Sequence, residues 1–376
     1  MQNLTPINFP TDYQSIIERV KHINPSKYAQ TRNYLNGQVT YLAPYISRGV
    51  ISLKQIVDEI IQKGYPFQVC EKLIQELAWR EYYQRVWQSK RNLIWEDLKQ
   101  VQQEVIHHKM IASVQNAQTG IESIDHQITN FYTTGYLHNH IRMYLSAIIC
   151  NIGKAHWLQP SKWMYYHLLD GDIASNNCSW QWVAGAFSSK KYFCNQENIN
   201  KYTFSQQTGT FLDQPYEALV NMPVPSALQE TVVLNSETSL PPTLLPNIDT
   251  SKPTLIYNSY NLDPLWRKDE KVNRVLLLEP SHFSKYPVSE KVIQFIIDLA
   301  KNMEGIQIYA GEIQEIQKIY GPLSDDKDNN IISKEHPAFD HYPGIKEERD
   351  WMFPNVVGYY PSFFSYWKKC QHKLKF

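Results

Sequence analysis

Residues 168–185, LLDGDIASNNCSWQWVAG, set two aspartates, two adjacent asparagines and a Trp-Gln-Trp side by side. An apolar core has no place for Asn176 and Asn177 unless both amides are hydrogen-bonded, because a buried amide without a partner costs free energy. A solvated loop has no use for Trp180 and Trp182. A planar ligand with hydrogen-bonding edges suits both residue types, and the stretch points to a wall against such a ligand.

Much of the chain around this stretch has helical periodicity, from about residue 12 to 190. Residues 51–63 open with Ser52-Leu53-Lys54-Gln55, the Ser-x-x-Gln form of a capping box, and Gly64-Tyr65-Pro66 closes them. Residues 70–87 and 135–152 form two more helices, the latter apolar at Leu137, Ile141, Leu145 and Ile148. Pro160 suits the first turn of a fourth, running through Trp163 to Leu168. A chain of 376 residues holds roughly two domains. The first is expected to be all-helical over residues 1–204.

Residues 205–253 change character. The prolines of MPVPSAL and SLPPTLLPNIDTSKP predict an extended linker. Beyond it, TLIYNSY (254–260), RVLLLEP (274–280) and IQIYAGE (306–312) have strand composition, with a helix at 288–303 between the last two. This alternation predicts a smaller α/β, Rossmann-like domain with a parallel sheet over residues 254–376. The aromatic tail WMFPNVVGYYPSFFSYWKK has no assignable period.

Lys+Arg and Asp+Glu each number 37, which excludes global electrostatic steering toward nucleic acid and leaves only a local basic patch. Five scattered cysteines form no ligand-spaced pair, which argues for reduced thiols and against an iron–sulfur cluster or structural zinc. The first residues lack a signal-peptide pattern and no apolar run reaches membrane-spanning length, so a soluble cytoplasmic monomer without a metal is expected.

Within the helical part, Glu76, Trp79 and Tyr83 stand at i, i+3 and i+7 and share one face. The plainer explanation is an amphipathic helix with Glu76 paired to Arg80. His138, Asn139, His140 and Arg142 crowd one turn; the two histidines diverge on a helix, so they do not chelate a metal together. Arg142 is expected to meet an acid from elsewhere, with Asp170 and Asp172 available.

Taken with Tyr28-x-x-x-Arg32, VTYLAPYISRG (39–49), ELAWREYY (76–83) and TGYLHNHIRM (134–143), the 168–185 stretch resembles the photolyase/cryptochrome family over residues 28–193, in order and in spacing. The resemblance implies non-covalent, U-shaped FAD in the helical domain and light-driven splitting of cyclobutane pyrimidine dimers in DNA. The alternative is a cryptochrome-like blue-light photoreceptor that signals through a partner. Position by position, Tyr28, Arg32 and Thr40 would face the flavin's sugar and phosphates, and Leu42 would be a further cofactor contact. Asn139, Arg142, Asp170, Asp172 and Asn176 would surround its ring. Glu76 and Trp79, with Met143 and Trp182, would line the dimer site, and His140 would face DNA phosphate. Trp180 and Trp157 would conduct electrons to the flavin, with Glu104 near the place of a missing third tryptophan. Ala43, Cys178-Ser179 and the CNQENINKY segment depart from the family pattern. The order also departs from it, because the family's α/β antenna domain normally precedes the helical one. A second, antenna chromophore is unproven without a Gly-rich phosphate loop.

Overall fold

Hydrogen-bonded caps set the ends of the helices. Ser52 accepts from Gln55 N and the Gln55 side chain accepts from Ser52 N, so the expected capping box opens the helix Leu53–Gln62. Helix Phe67–Lys90 extends the expected 70–87 at both ends. The 135–152 helix begins later than expected, because Gly135 ends the preceding helix Glu122–Thr134 in the left-handed region (φ 69°) and His138 caps a new one at Asn139–Ala147. That helix widens into a π-helical turn at Ile148–Ile152. Leu158–His167 carries Pro160 in its first turn.

The computed structural model describes residues 7–320 and 330–374. Part of the N-terminal segment read for a signal peptide, residues 1–6, lies outside them. The chain divides into two compact units, one of residues 1–8, 24–39 and 83–235 and the other of residues 9–23, 40–82 and 236–376. No helix among the described residues is long and apolar enough to cross a membrane, and all five cysteines are buried and outside any disulfide.

The first unit is helical. Its core joins Ile124, Ile128 and Phe131 to Ile141, Leu145 and Ile148, and both to Trp157, Trp163 and Trp180. The 168–185 stretch contributes the helix Ile173–Ala184, capped by the Asp172 carboxylate at its start and by Gly185 (φ 83°) at its end. Within the expected linker, a short helix Tyr216–Val220 and a strand Thr231–Val232, antiparallel to Met110–Ile111, belong to this unit.

The second unit holds a parallel five-stranded sheet. Across it the strands run Ile306–Tyr309, Asn273–Leu277, Thr254–Tyr257, Ile331–Lys334, Ile345–Glu347. The first strand in sequence is central, so the chain winds outward on one side and returns to the other, the doubly wound pattern. Helix Glu290–Ala300 buries Val292, Ile293, Phe295, Ile296 and Leu299. Asn302 fastens the 9–23 segment by donating to Thr11 O at 2.6 Å and accepting from Tyr13 N at 2.8 Å. Arg48 donates to Ser259 O at 3.2 Å in the loop after the central strand.

The aperiodic tail is anchored by one buried carboxylate. Glu81, 1% exposed, accepts from Met352 N at 2.6 Å, Phe353 N at 2.9 Å and the Tyr366 hydroxyl at 2.9 Å. Tyr366 lies on helix Phe363–Cys370, opened by a Ser362/Ser365 capping box. Glu81→Ala strands all three donors and is expected to destabilise the second unit by about 3 kcal/mol. Denaturant unfolding and faster proteolytic cleavage near residues 351–370 would register the loss; unchanged stability would contradict it.

Candidate cofactor and electron-transfer site

Two carboxylates meet at the start of helix Ile173–Ala184. Asp170, whose side chain is 2% exposed, accepts from Arg142 Nη2 at 2.9 Å, and Arg142 Nε also donates to Leu137 O at 2.8 Å. Arg142 thus meets Asp170, one of its two candidate acids. Asp172 is buried and caps the helix, with Oδ1 accepting from Ser175 N at 2.7 Å and Oδ2 accepting from Gln84 Nε2. A first-turn carboxylate is favoured there by the free backbone N–H groups and the helix dipole. Neither the capping role nor Gln84 was legible in the sequence, because the 168–185 residues show no clear 3.6 period.

The amides are also bonded. Asn176 Nδ2 donates to Ser161 O at 2.9 Å, and Asn177 Nδ2 donates to Ile94 O at 3.2 Å. The helix is therefore held on both sides by its own amides. Asn139 is exposed at the first turn of Asn139–Ala147, and Met143 is half-buried on the same helix. Tyr28 lies on helix Pro25–Thr31 and Arg32 caps its end, Arg32 Nη1 donating to Ala29 O at 3.1 Å; both side chains are half-buried. His140 is packed between rings, with centroids 4.5 Å from Tyr144 and 4.6 Å from Tyr202, and its Nδ1 bonds Asn33 O at 2.8 Å. Burial lowers its pKa, so it presents a neutral, packed ring where the family resemblance implies a phosphate contact.

Trp157 and Trp180 belong to one buried cluster. Trp157 is fully buried, and its Nε1 donates to Asp97 Oδ1 at 2.7 Å. Trp180 is 1% exposed, and its Nε1 has no hydrogen-bond acceptor among the described residues. Trp182 is half-buried, 6.2 Å from Tyr192. Glu104, near the place of the missing third tryptophan, pairs with Lys191 at 2.5 Å and Lys154 at 3.2 Å. Asp97 was missed in the sequence, because a lone Asp in WEDLKQ carries no motif.

Thr40, Leu42, Glu76 and Trp79 belong to the second unit. Thr40 Oγ1 accepts from Leu42 N at 3.4 Å, and Leu42 is buried. Glu76 pairs with Lys72 at 3.4 Å, while the guanidinium of Arg80, the alternative partner, donates to Ser47 Oγ at 2.7 Å. Trp79 is stacked by Phe363 at 3.9 Å and 11°. That contact covers one face of the indole and leaves no space for a base on it.

No group of three or more His, Cys, Asp or Glu among the described residues is arranged to hold a metal ion. The donor set of the first unit has the chemistry a flavin dinucleotide would need: a guanidinium and a hydroxyl at Arg32 and Tyr28, and further polar groups in the Arg142–Asp170 pair, Asp172 and Asn176.

Residues 73–236 match a family model described as the FAD binding domain of DNA photolyase. The chain is 27% identical over 227 residues to the deoxyribodipyrimidine photo-lyase of Buchnera aphidicola subsp. Baizongia pistaciae, covering 53% of this chain and 46% of that protein. It is 23% identical over 197 residues to the Escherichia coli enzyme of the same name, covering 49% and 41%. The chain thus spans less than half the length of these relatives. A solved cryptochrome of Synechocystis sp. PCC6803 aligns with a TM-score of 0.45 at 21% identity, covering 60% of this chain and 49% of that one, too distant a likeness to carry an inference.

Burial of the cap residue His138 gives the first unit a pH dependence. Desolvation, with smaller contributions from the charges of His140 and Arg142, pushes its pKa down to about 4. The folded state then binds fewer protons than the unfolded one between pH 6.5 and 4, so stability falls as pH falls through that window. Unfolding free energy is expected to drop by about 2 kcal/mol between about pH 7 and pH 5 from this group. Chemical denaturation of His138→Gln should lack that component; an identical pH slope in both proteins would refute the assignment.

Proposed function

We propose that this chain, which belongs to the photolyase/cryptochrome family, binds FAD in its helical unit and splits cyclobutane pyrimidine dimers in DNA under light. The observation that carries the cofactor half is the pairing of buried Asp170 with half-buried Arg142 beside the Asp172-capped helix. A charge pair of that kind is retained at a desolvation cost, and a polar ring edge gives it a use. Bound FAD would supply light absorption and one-electron chemistry.

The remaining roles belong to the chain's own side chains. Arg142 and Asp170 hold the ring edge, with Asp172 and Asn176 as further hydrogen-bonding groups. Tyr28 and Arg32 take the phosphates and sugar. For the dimer, the second unit offers Glu76 as a hydrogen-bonding group and Trp79 as an apolar surface, and the first unit offers Met143 and Trp182. The methionine at 143 favours the cyclobutane dimer over the (6-4) photoproduct, at which the family usually has histidine. Base flipping is cheaper at damaged than at intact pairs, a case for which photolyases are themselves the standard example.

One observation favours the second reading, a flavin photoreceptor. Phe363 lies flat on Trp79 at 3.9 Å, and the stack must open if a dimer is to use that face. A light assay separates the two. Flavin-reduced protein is illuminated with single- and double-stranded DNA carrying a defined thymine dimer, and dimer loss is measured against a dark control. Repair by the wild type, slowed on the order of tenfold in Glu76→Ala with FAD still bound, is the expected result. Phe363→Ala is expected to speed repair by exposing Trp79. If neither wild type nor Phe363→Ala repairs either substrate with reduced flavin in place, the repair reading fails and the photoreceptor stands.

A further inference from the structure

The segment from Asp97 to Gln102 links the two buried tryptophans of the helical unit. Gln102 is 4% exposed and bonds through both ends of its amide: Nε2 donates to Ala155 O at 2.9 Å and Oε1 accepts from Trp157 N at 2.9 Å. Its backbone N donates to Asp97 Oδ2 at 2.8 Å. Leu98 N donates to Gln181 Oε1 at 2.9 Å, on the helix that carries Trp180. These bonds hold the Asp97 carboxylate in place, with Oδ1 2.7 Å from Trp157 Nε1 and 3.5 Å from His156 Nε2. Burial alone would raise the pKa of Asp97, but the bonds from His156, Gln102 N and Trp157 hold it below the usual carboxylate range. It is therefore ionised at neutral pH.

The two indoles differ in one respect that matters after oxidation. Removing an electron turns an indole N–H into a much stronger acid. At Trp180 the buried N–H faces no hydrogen-bond acceptor among the described residues, whereas at Trp157 it points at a carboxylate. A negative charge at that distance also stabilises positive charge on Trp157 more than on Trp180, and the effect is strong in a water-poor interior. The favoured electron direction is from Trp157 to Trp180.

We propose that Asp97 is the proton acceptor for oxidised Trp157, so that light-driven oxidation of the tryptophans ends there as a neutral indolyl radical. The proposal rests on the flavin reading above. Trp180 would give one electron to bound, photoexcited oxidised flavin and would be refilled by one electron from Trp157. The N–H bond of Trp157 breaks, and its proton forms an O–H bond on Asp97. A one-electron reductant in solution, such as a thiol, then restores Trp157, and Asp97 returns the proton. Loss of the proton removes the positive charge that would draw the electron back, so the charge separation outlives that of a protonated radical.

The test is flash-induced transient absorption of FAD-loaded protein with the flavin oxidised, in water and in deuterium oxide, where neutral and protonated tryptophan radicals have distinct spectra. Wild type is expected to form the neutral radical, more slowly in deuterium oxide. Asp97→Asn should leave the protonated radical and shorten the charge-separated lifetime on the order of tenfold, the loss of one hydrogen bond to a charged group. Asp97→Glu should restore the neutral radical, and Trp157→Phe should confine the oxidation to Trp180, still protonated. A neutral radical of unchanged rate and isotope effect in Asp97→Asn, or an unchanged signal in Trp157→Phe, overturns the proposal. Wild-type protein that binds flavin without forming a neutral radical overturns it as well. Failure of the wild type to bind flavin at all defeats the cofactor reading, and this proposal with it.

Discussion

Burying Asp170 and Asp172 at the start of one helix costs desolvation free energy that only charge pairing and N–H donors return. Arg142 supplies the first, and Ser175 N and Gln84 supply the second. The rest of the helical unit follows from that arrangement. The Asp172 cap fixes where helix Ile173–Ala184 begins, and the helix period then sets Asn176 toward Ser161 and sinks Trp180 into the core that also holds Trp157. Removing either charge of the pair would leave the other stranded, so the two residues constrain each other whatever ligand they serve.

The fold was legible wherever a period or a cap was written locally. Ser52 and Gln55 announced their helix, and TLIYNSY, RVLLLEP and IQIYAGE announced three parallel strands. Strands Ile331–Lys334 and Ile345–Glu347 were missed, because the first is four residues ending in Ser-Lys and the second is a partly exposed, charged triplet. Their pairing is decided by the strands beside them. Helix Phe363–Cys370 was missed for a related reason: its order depends on the distant Glu81, which accepts from three donors of the tail.

Residue types at the candidate site were legible, but partners were not. Arg142 with Asp170 was among the expected pairs, since a partly buried guanidinium needs an acid. Asp97 and Gln84 were invisible, because their significance lies in what they touch. The Trp79–Phe363 stack is the feature that bears most on repair against signalling, and nothing in FFSYW marks it in advance. A tail that covers a ring otherwise suited to stacking on a base gives the second unit a structural reason to differ from a plain repair enzyme.

Occupancy of the helical unit by flavin is the claim on which the functional account stands. Titrating the purified, flavin-free chain with FAD, and following the quenching of flavin fluorescence, tests it directly. The account predicts saturable binding of one FAD per chain, with affinity reduced on the order of a hundredfold or more in Asp170→Ala, where Arg142 loses its buried partner. Absence of saturable binding, or equal binding by wild type and Asp170→Ala, would contradict it.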